Sequence, residues 1–245
     1  MAFFEITYNR KYRFATLHNY GCTFRCHVCS YKLRSGSNGQ PGLSFPRPER
    51  FLSTEEMKKA LQSVSIDKVY FMGGEPTVAK DLQEMIDFAK NVLGAETFLG
   101  HTNGSRLPLP HLDGANVGLK AWDEKTHLEY TGKPKREIYA NFEASVRAGM
   151  MMKANVVLVP GLVGIDQVER IAEWLAGLNT AIPLHIMGYI PVPGQPYRSP
   201  TRNEMNAAVE TCHRYLQNVG SSHLTAEQAL DLTARDDRFV VQKIA

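Results

Sequence analysis

Short apolar runs separated by amphipathic stretches recur along this chain. Phe14-Ala15-Thr16-Leu17-His18-Asn19-Tyr20 reads as a strand by its aromatic and β-branched content. Lys68 to Met72, Thr97 to Leu99, Ala115 to Trp122, Asn155 to Val159 and Leu184 to Ile190 read the same way. Between them the apolar positions follow the helical period, as in Met57, Leu61 and Val64, or Leu82, Met85, Ile86 and Ala89. Ser53-Thr54-Glu55-Glu56 is a capping box opening a helix to about Val64, and Thr201 with Glu204 opens another to about Val219. Helices are also predicted over Asp81 to Val92, over 124–149 with a break around Gly132-Lys133-Pro134, and over Ile165 to Leu178.

Six strand-then-helix units imply a parallel sheet, because parallel neighbours need crossover connections and helices supply them. Continuous apolar runs suit strands buried on both faces. A closed barrel takes about eight units, so the expected fold class is α/β, a partial (β/α)6 barrel in a single domain. Residues 1–13 are expected as an N-terminal arm or edge strand, 14–220 as the barrel, and 221–245 as a C-terminal extension without assigned structure. The functional face of such a sheet lies at the C-terminal ends of its strands.

No apolar run approaches the ~18 residues of a membrane span. The opening Met1-Ala2-Phe3-Phe4-Glu5 lacks a basic region followed by an apolar core, so a cytoplasmic location is expected. Four cysteines in 245 residues are not a disulfide framework, which belongs to short, cysteine-dense secreted chains. The net charge of +3 is uneven: residues 1–50 carry +6 and the remainder −3. Two readings of that stand, a solvated surface or a field drawing an anionic substrate, nucleic acid or acidic partner. Residues 31–50, with Gly36, Gly39, Pro41, Gly42, Pro46 and Pro48 among Ser and Arg, form a basic loop expected to cover the site. Arg34 and Arg47 are its candidate anion contacts.

Three of the cysteines, Cys22, Cys26 and Cys29, fall in one C-x3-C-x2-C loop directly after the first strand of the repeat. A structural zinc site usually takes four protein ligands. Cys212 lies far along on a predicted helix, where a small core residue is the ordinary role. Three thiolates leave one position open on a four-iron cluster, which normally takes four. Gly73-Gly74-Glu75-Pro76-Thr77 follows the second strand, where Gly permits a close backbone approach and Pro fixes the exit. His18, His27 and His101 lie near these strand ends as proton donors, substrate contacts or structural hydrogen-bonding groups. Arg25, Lys32 and Arg34 are candidates to bind an anionic substrate group or tune a cluster.

In this order the motifs resemble the radical S-adenosylmethionine (SAM) superfamily, in particular the branch around pyruvate formate-lyase activating enzyme. The resemblance runs from about Phe14 to Val219 and includes Thr102-Asn103-Gly104, Leu119 to Asp123, Tyr130-Thr131-Gly132, Val159 to Leu162 and Leu184 to Pro191. It implies an oxidoreductase whose Cys22, Cys26 and Cys29 hold a [4Fe-4S] cluster, with SAM chelating the open iron. It places Val28, Gly73, Gly74, Glu75, Pro76, Asn103 and Lys120 around SAM: the glycine turn at the methionyl ammonium, Lys120 at the carboxylate, Asn103 at the ribose or in the strand-end turn. Val156 and Val159-Pro160 are placed as an apolar wall for adenine or as core. Val28 stands where the superfamily commonly has an aromatic residue, so an aromatic contact to adenine must come from elsewhere. His101 and Gly118 replace two Asp residues common in glycyl-radical activating enzymes, and an Asp-Gly-Pro-Gly run typical ahead of the cysteines is missing, which puts a monovalent-cation site in doubt.

The function expected is reductive SAM cleavage followed by hydrogen abstraction from an unidentified, anionic substrate, a small molecule, peptide or RNA. An external one-electron donor of flavodoxin or ferredoxin type is required, since no second cluster motif or flavin fingerprint is present. One alternative is an activase placing a radical on a partner protein's glycine. A remote one is a non-enzymatic zinc or iron–sulfur module for nucleic acid, which accounts for the charge but not for the repeat.

Overall fold

The computed structural model describes residues 2–39, 43 and 47–245, so Pro41, Gly42 and Pro46 of the predicted loop lie outside the described residues. One sheet holds β1 (Ala2–Asn9), β2 (Phe14–Tyr20), β3 (Lys68–Gly73), β4 (Glu96–Thr102), β5 (Gly114–Gly118), β6 (Met151–Leu158), β7 (Leu184–Gly188), β8 (Val219–Ser222) and β9 (Gln242–Lys243). Their order is β8-β7-β6-β5-β4-β3-β2-β1-β9. Strands β2 to β8 are parallel neighbours, while β1 and β9 add antiparallel pairs at one side. The sheet is not closed, and the fold is a single α/β domain with a partial barrel.

Helices supply the crossovers between parallel strands except that from β4 to β5. They are α1 (Lys32–Ser35), α2 (Thr54–Gln62), α3 (Leu82–Asn91), α4 (Glu124–Thr131), α5 (Arg136–Arg147), α6 (Ile165–Leu178), α7 (Arg202–His213) and α8 (Ala226–Leu230). The boxes at Ser53/Glu56 and Thr201/Glu204 both form. Met57, Leu61, Leu82, Met85, Ile86 and Ala89 are buried on the faces their spacing set.

Four boundaries differ from expectation. The β4–β5 crossover carries no helix among the described residues. Helix α7 stops at His213, and the stretch read as its end leads into β8, whose Gly220-Ser221-Ser222 sequence gives no strand signal. Strand β5 ends at Gly118, so Lys120 and Trp122 lie beyond a strand rather than inside one. Strand β1 is covered by β9 and is not the outermost strand.

The expectation of strands buried on both faces also fails for β5–β8. Leu17, Phe71, Leu99, Val117, Val156 and Ile186 are at most 1% exposed in the core. The opposite, inner face splits in two. Toward β2–β4 it is filled by the stacked Tyr70 and Phe98 rings, Phe14 edge-on to Tyr70, and Met72 over Gly100. Toward β5–β8 it is mixed, with the polar Asn116, Lys153, Asn155, His185 and Ser222 and the apolar Met151, Val157 and Met187 on one side of the register.

No helix among the described residues is long and apolar enough to cross a membrane. The tail is tied back to the first strand. Asn9 Nδ2 donates to the carbonyls of Asp237, Arg238 and Val240 at 2.8, 3.2 and 3.1 Å, and Ile6 N–H donates to Ala245 O at 2.9 Å. Asn9 is 1% exposed, so its truncation strands buried groups. Asn9→Ala is expected to release residues 231–245 to limited proteolysis well before the barrel is cut, read by mass spectrometry of the fragments.

Candidate active site

The cysteine loop is fastened to its neighbours through backbone and amide groups. Asn19, 1% exposed at the end of β2, donates from Nδ2 to Gly21 O at 3.0 Å and Glu75 O at 2.9 Å. Glu75 N–H donates to Gly21 O at 2.8 Å and Gly74 N–H to Asn19 O at 3.3 Å. Gly73 has φ +119°, and a Cβ there would lie 2.2 Å from Asn19 O. Glycine is therefore required both by conformation and by the approach of β2 to β3. On its far side the loop docks on the Tyr130-Thr131-Gly132 segment, where Arg25 N–H donates to Thr131 O at 2.8 Å and His27 packs on Tyr130 at 5.8 Å.

Glu75 organises the strand ends. Its carboxylate has no exposure and accepts from Thr77 N–H (3.1 Å), Thr77 Oγ1–H (2.8 Å), Thr102 Oγ1–H (2.8 Å) and Asn103 N–H (2.5 Å). Burial pushes it above the ordinary carboxylate range, and these four donors oppose that. Asn103 in turn accepts from Ser105 N–H at 3.0 Å and donates from Nδ2 to Thr23 Oγ1 at 2.8 Å, 3.9 Å from Cys22 Sγ. The side chains of Glu75 and Asn103 are thus used inside the protein. Gly73 and Gly74 are half-buried.

Cys22, Cys26 and Cys29 carry free thiols. Burial pushes Cys22 up to about 11 and Cys26 up to about 12, while the Lys120 ammonium pulls both down. Lys120 is half-buried and pairs with no carboxylate among the described residues. Its Nζ lies 2.5 Å from where a Cβ on Gly118 would be. Cys212 is fully buried on α7 against Val168 O, remote in contacts from this loop. No three Cys, His, Asp or Glu side chains among the described residues converge as a single metal ion requires. An iron–sulfur cluster instead takes one thiolate per iron. Three free thiols in one loop beside an unpaired ammonium form a donor set that fits an anionic cluster and the carboxylate of SAM.

Val28 is buried within the cysteine loop at 6% exposure, and Val156, at 1%, lies on the core side of β6 with Ile186. Val159 is fully buried in a turn that bonds Val163. Arg34 donates to Leu230 O and Lys32 to Ser37 O, so both are engaged structurally. Arg25 and Arg47 are exposed. His18 is bonded to Thr7 Oγ1 at 2.9 Å, and burial lowers it. His101 lies on the inner face, its ring surrounded by neighbouring strand-end groups, with Nδ1 3.5 Å from Asn155 Nδ2. That amide donor places the ring proton on Nε2. Its enclosed position, then the Lys120 and His185 charges, lower His101 to about 4. Asn19, Asn155 and Lys153 escaped the sequence reading; an Asn closing a strand ahead of Gly21 was the only signal for the first.

An open parallel sheet with three free thiols, a glycine turn and, among the described residues, a lysine without a carboxylate partner at its C-terminal edge offers the donors that an iron–sulfur cluster and a charged cofactor beside it require. The family model described as the Radical SAM superfamily matches residues 16–175, and the chain belongs to that superfamily. It is 28% identical over 84% of its length to a Methanocaldococcus jannaschii protein provisionally named a glycyl-radical enzyme activating enzyme, spanning 80% of that protein. It is 30% identical over 63% of its length to the GTP 3',8-cyclase of Aeromonas hydrophila, of which it spans 47%. Among solved structures, Streptococcus suis SuiB bound to S-adenosylmethionine matches 83% of this chain and 48% of its own at TM-score 0.62 and 14% identity. A domain of pyruvate-formate lyase-activating enzyme from Bacteroides vulgatus matches 63% of this chain and 98% of its own at TM-score 0.52 and 18% identity. These two likenesses concern the fold. Members of the superfamily are enzymes that use S-adenosylmethionine and an iron–sulfur cluster, and so is this chain.

Two outcomes follow. Glu75→Gln places an amide NH2 among donors and is expected to cost about 3 kcal/mol or more, lowering Tm by roughly 6–12 °C in calorimetry. His101 should stay neutral from pH 8 to about 5, observable as an unshifted imidazole in heteronuclear NMR. Because it protonates near 6.5 when unfolded and near 4 when folded, its effect is a loss of stability as pH falls from 6.5 toward 4.

Proposed function

We propose that Cys22, Cys26 and Cys29 hold a [4Fe-4S] cluster whose fourth iron takes SAM, and that the enzyme acts directly on an anionic substrate laid against the inner face of the sheet. The observation that carries this reading is three free thiols on one loop beside the unpaired Lys120, with no fourth cysteine near. When bound, the cluster and SAM would supply a carbon-centred radical able to take a hydrogen atom from the substrate, the electron needed to form it coming from an external donor.

The chain's own residues bind and orient. The Lys120 ammonium pairs with the SAM carboxylate, a charge-assisted contact in a partly buried setting. Backbone at Gly73-Gly74, uncovered by side chains, faces the methionyl ammonium. Asn19 and Asn103 hold the cysteine loop against that turn. The Phe14, Tyr70 and Phe98 rings occupy one part of the inner face, leaving the part with the polar groups for substrate. An external one-electron donor of flavodoxin or ferredoxin type completes the system.

A second reading, activation of a partner glycyl-radical protein, is favoured by the name of the M. jannaschii relative, which this chain matches over 84% of its length. A glycyl-radical EPR doublet on a partner protein would select it.

Anaerobic reconstitution with iron and sulfide, then dithionite and SAM, is expected to yield a brown protein that forms 5'-deoxyadenosine. Single Cys→Ala changes at 22, 26 or 29 should abolish product. Lys120→Met should keep its iron and raise the KM for SAM by about tenfold or more. A fully loaded protein forming no 5'-deoxyadenosine overturns the reading.

A further inference from the structure

The inner face of β5–β8 carries polar groups that none of the proposed cofactor contacts uses. Asn116, Lys153, His185 and Gly220 line a cleft of about 410 Å³, bordered by Pro183 and Asn218. Register fixes them on one side: Asn116 is level with Lys153, Asn155 with His185, and His185 with Gly220. Asn155 Nδ2 donates to Asn116 Oδ1 at 2.9 Å, which leaves the Asn116 NH2 free to donate into the cleft. Lys153 is exposed and has no carboxylate partner among the described residues. His185 Nε2 is held by Ser222 Oγ at 2.9 Å.

The composition of this wall is one-sided. GANVG, MMKANVVL, LHIMG and VGSS, the four strands β5 to β8, contain no Asp or Glu. The other half of the inner face is filled by rings, so a ligand is confined to this side. A lysine and an amide NH2 without acceptors are satisfied by an acceptor-rich anion when water leaves.

We infer that this cleft is an anion subsite holding a phosphate or carboxylate group of the substrate on Lys153 and Asn116, with His185 as its wall. The inference rests on the proposal that substrate lies against the inner face, and it names the class. Lys153 is five residues before Leu158, the end of β6, about 17 Å at the strand rise of ~3.3 Å per residue. A substrate anchored there and reacting at the strand ends is an extended molecule with an anionic end, not a single small anion.

Titration calorimetry of the cluster-loaded full chain with inorganic phosphate, and separately with acetate, tests this and distinguishes the two anion types. Lys153→Gln is expected to weaken the preferred anion at least about tenfold, and Lys153→Arg to retain it. Lys59→Gln, an exposed helical control, should match the wild type. Absence of binding to wild type, or equal binding by wild type and Lys153→Gln with unchanged Tm, overturns the inference. Because no SAM cleavage is read, failure here leaves 5'-deoxyadenosine formation intact. Failure of that assay with Lys153-dependent anion binding sinks the radical reading alone.

Discussion

A carboxylate sealed from water has to be met by donors, and Glu75 draws them from two strand ends at once. The bonds to Thr102 and Asn103 pin the end of β4 against the turn after β3. Asn103 then reaches Thr23, and Asn19 joins Gly21 to the Glu75 carbonyl. The cysteine loop is thus positioned by a chain of polar contacts anchored on one buried acid. Removing a single partner leaves others desolvated and unsatisfied, which makes the network cooperative rather than a sum of independent bonds.

Charge is distributed by the same logic of partners. The basic N-terminal fifth of the chain is largely absorbed in structure: Lys11 pairs with Asp237, Arg13 with Asp67, Arg50 with Glu56, and Arg34 caps the carbonyl of Leu230. Among the described residues, Lys120 and Lys153 are cations without a carboxylate partner toward the inside, and both lie in the part of the chain with net negative charge. Counting charge by segment does not tell which cations the fold leaves without counter-ions. Field strength at a site depends on which cations lack counter-ions, and that is a property of the fold.

The repeat order, the helix faces and the grouping of three cysteines in one loop could be read from residues because each leaves a local signature: a period, a cap, a spacing. The rest depends on what faces what. Met151-Met152-Lys153-Ala154-Asn155-Val156 looks apolar as a run, yet its alternation puts Lys153 and Asn155 on the open inner face and Met152, Ala154 and Val156 in the core. Strand β8 is nearly all Gly and Ser and is held by pairing with β7, so propensity could not find it. Glu75 stood out as part of a motif, but the letters do not tell whether its oxygens meet a ligand or the neighbouring strand. Tyr130 and Thr131 likewise belonged to a motif whose work, gripping the cysteine loop from behind, became clear only from their partners.

The Lys120 ammonium lies where a side chain on Gly118 would begin, so the space over that glycine is the space the charge occupies. That ammonium is the far end of a flexible chain, so a side chain at 118 would move it aside rather than meet backbone. What the bare glycine sets is where the positive charge comes to rest.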